Sequence, residues 1–254
     1  MISRAIAYEI NLFFLALGYF SRIPMPAKVV YTTDNLNHAS RYFALVGWLL
    51  GIFIAGIYYL SHQFFSENIS IWLCMLASLL LTGAFHEDGL ADTADGLGGG
   101  FTREKKLTIM KDSRIGTYGA CALFMALIGK FILLQELDNL LIAIPIAYAL
   151  SRTLASTLLF TMATASDPET EKIKPLAKTQ SSTDMFVLLG TSLAVVFLLP
   201  GTTLLLLLIL LISLRYAFQY YFNKQLGGVT GDCLGASQQF TELCIYLLLI
   251  VQGV

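Results

Sequence analysis

Long apolar runs recur along the chain, each about the length of a membrane-crossing helix. Spanning a hydrocarbon core of about 30 Å takes about 20 residues at 1.5 Å rise. Residues 42–61 and 69–85 carry no charge, residues 115–135 carry only Lys130, and residues 139–165 carry only Arg152. Residues 185–214 are uncharged throughout, and residues 233–254 carry only Glu242. As one helix the 185–214 run would be about 45 Å long, too long without strong tilt. Pro200-Gly201-Thr202-Thr203 in its middle reads as a turn. The run therefore splits into a hairpin, with helices expected near 184–199 and 203–222. Residues 4–20 contain Glu9 and form the weakest segment, which either spans or lies at the interface. The pattern predicts an all-α, polytopic membrane helix bundle of seven to eight transmembrane or interfacial helices, with residues 1–254 as one integral-membrane domain.

Charge placement supports that count. Segments 21–41, 86–114, 166–183 and 223–232 hold 12 of the 16 Lys and Arg residues. The alternate connections near 62–68, 136–138 and 200–202 hold none. Lys and Arg mark cytoplasmic loops. The loops 86–114, 166–183 and 223–232 are thus expected on the cytoplasmic side of a multi-pass protein of the cell (inner) membrane.

Composition agrees: 56% of the 254 residues are hydrophobic and 13% charged, and the mean hydropathy is +0.71. That argues against a disordered chain or an ordinary soluble enzyme. A net charge of −1 gives no field for nucleic acid. The cysteines Cys74, Cys121, Cys233 and Cys244 show no CxxC spacing, so neither a zinc knuckle nor a disulfide framework is expected. No cleavable signal peptide is expected either.

Three polar blocks carry the chemistry. The first is His86-Glu87-Asp88-Gly89-Leu90-Ala91-Asp92-Thr93-Ala94-Asp95-Gly96, followed by Gly98-Gly99-Gly100. On a helix Asp88, Asp92 and Asp95 fall within about 60° of one another around the axis. Like charges on one face repel unless a cation sits among them, and hard oxygen ligands suit Mg²⁺ or Mn²⁺ with substrate phosphates. Glu87 projects about 100° away from this face. The glycines read as a flexible loop, and no P-loop or Rossmann pattern is present.

The second block is Lys111-Asp112-Ser113-Arg114-Ile115-Gly116-Thr117-Tyr118-Gly119. Arg114 and Lys111 are candidate phosphate ligands, and Asp112 either orients Arg114 or adds a metal ligand. The third block is Gly227-Gly228-Val229-Thr230-Gly231-Asp232-Cys233-Leu234-Gly235-Ala236. Here Asp232 is either a helix N-cap or part of an anion site at a helix start. Arg152 and Glu242, both inside spans, either pair with each other or Arg152 meets a phosphate. Lys130 is expected to snorkel and is given no role.

The first block resembles the signature of the cobalamin synthase (adenosylcobinamide-GDP ribazoletransferase) family. The other two blocks match that family in type and order, Ser21-Arg22-Ile23-Pro24 fits its N-terminal element, and the resemblance runs from about residue 12 to the end. The position of Glu87 is often apolar in the family, so an essential carboxylate is not implied there.

The resemblance implies a membrane enzyme that joins adenosylcobinamide-GDP to α-ribazole or its 5′-phosphate and releases GMP, with Mg²⁺ as cofactor. It implies Asp88, Asp92 and Asp95 as metal ligands, and Asp95 or Asp112 as the group that accepts the hydroxyl proton. Lys111, Arg114, Arg152, Gly228, Thr230 and Asp232 become phosphate or substrate contacts. The partners expected are these two substrates and the lipid bilayer, without nucleic acid; a homo-oligomer is left open. Two other classes stand beside this reading. A membrane phosphotransferase of the CDP-alcohol type shares the chemical logic, although its Ala-Arg step is absent. A cation-coupled transporter would also place acids near the membrane.

Overall fold

A computed structural model describes residues 2–165 and 179–254. The loop expected over 166–183 therefore lies mostly outside the described residues. The described chain is helical: α1 (Ile2–Phe20), α2 (Thr33–Ala39), α3 (Phe43–His62), α4 (Glu67–Thr82), α5 (Phe85–Gly99), α6 (Arg103–Met110), α7 (Thr117–Gln135), α8 (Leu140–Thr161), α9 (Ser182–Ser192), α10 (Gly201–Leu226) and α11 (Gly231–Val251). Two 3₁₀ turns join α2 to α3 and extend α9 to Phe197.

By length and composition five helical stretches are apolar enough to cross a membrane: Thr33–His62, α7, α8, α10 and α11. The run expected as one span over 69–85 is α4, which at 16 residues passes as a span only together with α5, and the two are bent at 84° to each other. Gly83 and Ala84 cause the bend, since both take left-handed backbone conformations, with φ of +66° and +55°. Glycine adopts that conformation freely; alanine there is strained. Counted as one span, the pair brings the total to six. Ser182–Phe197 is apolar but short. The doubtful segment 4–20 is a helix, α1, outside the set of candidate spans. The expected hairpin forms, with Pro200 as the N-cap of α10, and α10 runs on to Leu226.

α8 is the central element, with 83% of its apolar window buried, whereas α7 and α10 bury only 17% and 11%. The outer helices expose Phe53, Trp72, Leu80, Phe124, Leu208 and Leu247. So much exposed apolar side chain suits lipid rather than water. α3 packs backbone-to-backbone on α8 through Gly47 and Gly51, where an added Cβ would collide with Tyr148 and Pro145. Small residues four apart are the usual device for such close approach in lipid.

Candidate active site

The 86–114 segment, expected as a loop, folds into α5 and α6. α5 carries Asp88 exposed, Asp92 half-buried and Asp95 buried. The glycines expected to give a flexible loop are helical or cap the helix, and they serve close packing. A Cβ on Gly96 would strike Met110, and one on Gly98 the ring of Tyr118. The N-terminal element meets the α4–α5 bend: Arg22 N–H donates to Leu81 O at 2.7 Å, and the Arg22 guanidinium lies against Gly83.

The second block seats on the first through Asp95. Its Oδ2 accepts the N–H of Gly116 at 2.7 Å and its Oδ1 that of Gly119 at 2.8 Å. These are donors at the start of α7 that no intrahelical carbonyl serves. Asp95 is therefore a cap supplied by another helix, and it does not join Asp88 and Asp92 in a three-carboxylate cage. The physical reason is the rise: positions 88 and 95 share a helix face but lie about 10 Å apart along the axis. Among the described residues no group of three or more His, Cys, Asp or Glu side chains is gathered to hold a metal.

Asp112 grips Arg114 in a two-pronged pair, Nε to Oδ1 at 3.0 Å and Nη2 to Oδ2 at 2.7 Å. Of its two expected roles, this geometry is the orienting one. The Arg114 side chain and its backbone N–H hold the Asp112 carboxyl down at about 2, so it stays ionised at any neutral pH. Arg114 itself is exposed. Lys111 caps the end of α6 beside them.

The third block opens α11. Thr230, not Asp232, is the N-cap: its Oγ1 accepts from Cys233 N at 3.2 Å. Asp232 sits in the first turn, where the helix dipole favours an acid. Gly228 passes so close to Ala163 O that a Cβ would collide with it. Val229 N–H and Ala165 N–H close a short parallel bridge between the two segments, each at 2.9 Å. Gly89 of α5 touches Asp232 and Gly235 of α11, where a Cβ would lie 2.9 Å from Asp232 O. Arg103 Nε donates to Leu226 O at 2.7 Å and Lys106 Nζ to Gln225 Oε1 at 2.5 Å, which ties α6 to the end of α10. The three blocks thus converge on α5 at one end of the bundle.

Deeper in the bundle is a network the sequence reading missed. Lys130 is buried and pairs with Glu242 Oε1 at 3.0 Å, with Glu87 Oε1 at 3.9 Å. Gln238 Nε2 donates to Glu242 Oε2 at 2.7 Å, Tyr246 OH donates to Glu242 Oε1 at 3.2 Å, and Gln239 Nε2 donates to Glu87 Oε1 at 3.0 Å. Lys130 does not snorkel, and Glu242 pairs with it rather than with Arg152. A buried charge is stable only with partners, and Glu242 has a nearer one. The signal in the sequence was that Lys130 and Glu242 are single charges inside otherwise apolar runs.

A family model described as cobalamin-5-phosphate synthase matches residues 12–250. A protein of Vibrio cholerae named adenosylcobinamide-GDP ribazoletransferase is 50% identical over 246 residues, 96% of this chain and 94% of its own. Namesakes from Vibrio parahaemolyticus and Shewanella oneidensis are each 49% identical, covering 96% and 97% of this chain and 93% and 96% of their own. No solved structure matches. With the match spanning all three blocks that meet at α5, the chain belongs to the cobalamin-5-phosphate synthase family.

Proposed function

We propose that the chain joins adenosylcobinamide-GDP to α-ribazole or its 5′-phosphate, giving adenosylcobalamin or its 5′-phosphate and GMP, at the cytoplasmic face of the cell inner membrane. One observation carries this reading. The three motif blocks meet around α5, and they present Asp88 and Asp92 beside the start of α11, with Arg114 and its partner Asp112 leading into α7. The family match and the relatives' shared name support the substrate class.

In this reading a ribazole hydroxyl attacks the diphosphate phosphorus on the corrinoid side. The bond to the GMP oxygen breaks, and the hydroxyl proton passes to a carboxylate of the α5 mouth. Asp88 and Asp92, one turn apart, would hold Mg²⁺, which commonly takes one or two carboxylates and completes its shell with water and phosphate. Bound there, the ion would neutralise charge on the phosphoryl group and on departing GMP. Arg114, preset by Asp112, clamps phosphate oxygens. Asp95 holds α7 and hence Arg114 in register with α5. The Lys and Arg residues on α6 and near the end of α10 support a cytoplasmic mouth.

Purified protein in lipid, given adenosylcobinamide-GDP and either form of α-ribazole, tests the reading. Product and GMP should appear with Mg²⁺, vanish with EDTA and return when Mg²⁺ is restored. No product from either form would sink the function; product undiminished in EDTA would sink the metal.

A further inference from the structure

We infer that Lys130 is a positioning residue: its buried ammonium sets how α5 and α11 sit against α7, and with them the three motif blocks. The inference rests on the proposed reaction and adds a residue that acts on it without touching substrate.

The three helices that meet at Lys130 are the three that carry those blocks. Asp88, Asp92 and Asp95 lie on α5, Arg114 leads into α7, and Asp232 sits in the first turn of α11. Lys130 of α7 is buried, with three acceptors on the other two helices: Glu242 Oε1 at 3.0 Å, Gln239 Oε1 at 3.1 Å and Glu87 Oε1 at 3.9 Å. An ammonium carries three donors, so one group can serve all three. Gln239 Nε2 closes the ring to Glu87 Oε1 at 3.0 Å, and Gln238 Nε2 donates to Ser151 of α8 at 3.0 Å. Arg152 of α8 is a second buried cation, and its charge also acts on Glu242 and Glu87. The cluster is thus close to neutral and needs no further ion.

Asp95 and Glu87 give α5 two anchor points on α7. Asp95 takes the N–H groups of Gly116 and Gly119, and Glu87 meets Lys130 further along. The two acids are eight residues apart, about 12 Å along α5, and Gly119 and Lys130 are eleven apart, about 17 Å along α7. Helix side chains lean toward the N-terminus, so the long lysine stem closes the difference. Asp88 and Asp92 lie between the two anchors. Adjacent helical residues project about 100° apart, which is how Glu87 is buried while Asp88 is exposed. Apolar side chains of similar volume would often serve stability as well as a buried ion pair, or better. Directional bonds from one ammonium do something else: they fix the rotation and slide of α5 and α11 on α7. A misplacement of about 1 Å, even far from the chemistry, costs about a hundredfold in rate.

The test separates placement from stability. Lys130→Met removes the ammonium, and Lys130→Met with Glu242→Gln removes a charge of each sign. For both, kcat and KM for adenosylcobinamide-GDP are measured in lipid beside the unfolding temperature. The distance between α7 and α11 is read by electron spin resonance, with labels at the exposed native Cys121 and at Phe240→Cys, also exposed, and the other cysteines replaced by alanine. If Lys130 positions the blocks, the double variant keeps a kcat about ten- to a hundredfold below wild type even where its unfolding temperature recovers, with KM changing less. The α7–α11 distance then shifts or broadens. A double variant with wild-type kcat, or with the wild-type distance, overturns the inference: the ammonium would then only balance charge.

A gentler variant keeps the inference exposed if neither of these folds. Gln239→Leu leaves every charge in place and removes the amide that links Lys130 to Glu87. It should lower kcat severalfold and broaden the same distance distribution; wild-type values of both count against the role. The distance measurement needs no turnover. A wild type that makes no product sinks the proposed reaction, and the distances still decide whether Lys130 sets the helices, so the two failures are read separately.

Discussion

Asp95 of α5 accepts the backbone N–H of Gly119 of α7 at 2.8 Å, and so one carboxylate fixes the angle at which the second motif block meets the first. With Gly116 bound to its other oxygen, each carboxylate oxygen accepts one α7 N–H. Asp95→Asn would turn an NH₂ toward one of these donors. A lost charge-assisted bond to a buried group costs about 1.5–3 kcal/mol. Asp95→Asn should therefore lower the unfolding temperature in detergent, whereas Asp88→Asn should abolish turnover at wild-type stability. Equal unfolding temperatures for wild type and Asp95→Asn would remove the capping role.

The α5–α11 crossing depends on two glycines. A methyl group on Gly89 would lie 2.9 Å from Asp232 O, and one on Gly235 would lie 3.2 Å from His86 O. Gly89→Ala should push the helices apart and cut activity sharply. Gly129→Ala, where nothing lies within 4 Å, should be neutral or stabilising by up to about 1 kcal/mol, as expected for alanine in a helix. Activity of Gly89→Ala equal to that of Gly129→Ala would contradict the close crossing.

Removing one member of the buried ion network should hurt more than removing two. Lys130→Met leaves Glu242 and Glu87 buried without their cation, a situation that costs about 3–5 kcal/mol. Lys130→Met combined with Glu242→Gln removes a charge of each sign and should recover much of that loss. Unfolding in a fixed detergent measures both variants. A double variant less stable than Lys130→Met would mean that the network is not a charge balance.

Arg114 separates phosphate binding from metal binding. Arg114→Ala should lose about one to two decades in rate, and Arg114→Lys should recover only part, because lysine keeps the charge but not the fork. Asp112→Asn should fall between wild type and Arg114→Ala, since it frees the guanidinium without removing it. High Mg²⁺ should rescue none of these variants. Wild-type turnover of Arg114→Ala at high Mg²⁺ would assign its charge to topology or to the metal shell.

Much was legible in the sequence. Apolar runs of helical length fixed the all-α class, since a backbone in lipid must satisfy its own hydrogen bonds. Pro200-Gly201 marked the hairpin because proline cannot continue a helix and readily starts one. The acid, arginine and glycine blocks marked the site, because ionisable residues beside membrane helices rarely lack a role.

What the sequence left undecided is which polar group meets which, and only the tertiary structure settled it. Periodicity gives an angle about a helix axis but neither depth nor neighbour. It could place Asp95 with Asp88 on one face, but not show that Asp95 caps the start of α7. The apolar runs could flag Arg152 and Glu242 as costly in lipid, but they left Lys130 to snorkel and did not show that it is Glu242's partner. That pairing depends on the packing of α5, α7, α8 and α11, which turns Glu242 toward Lys130.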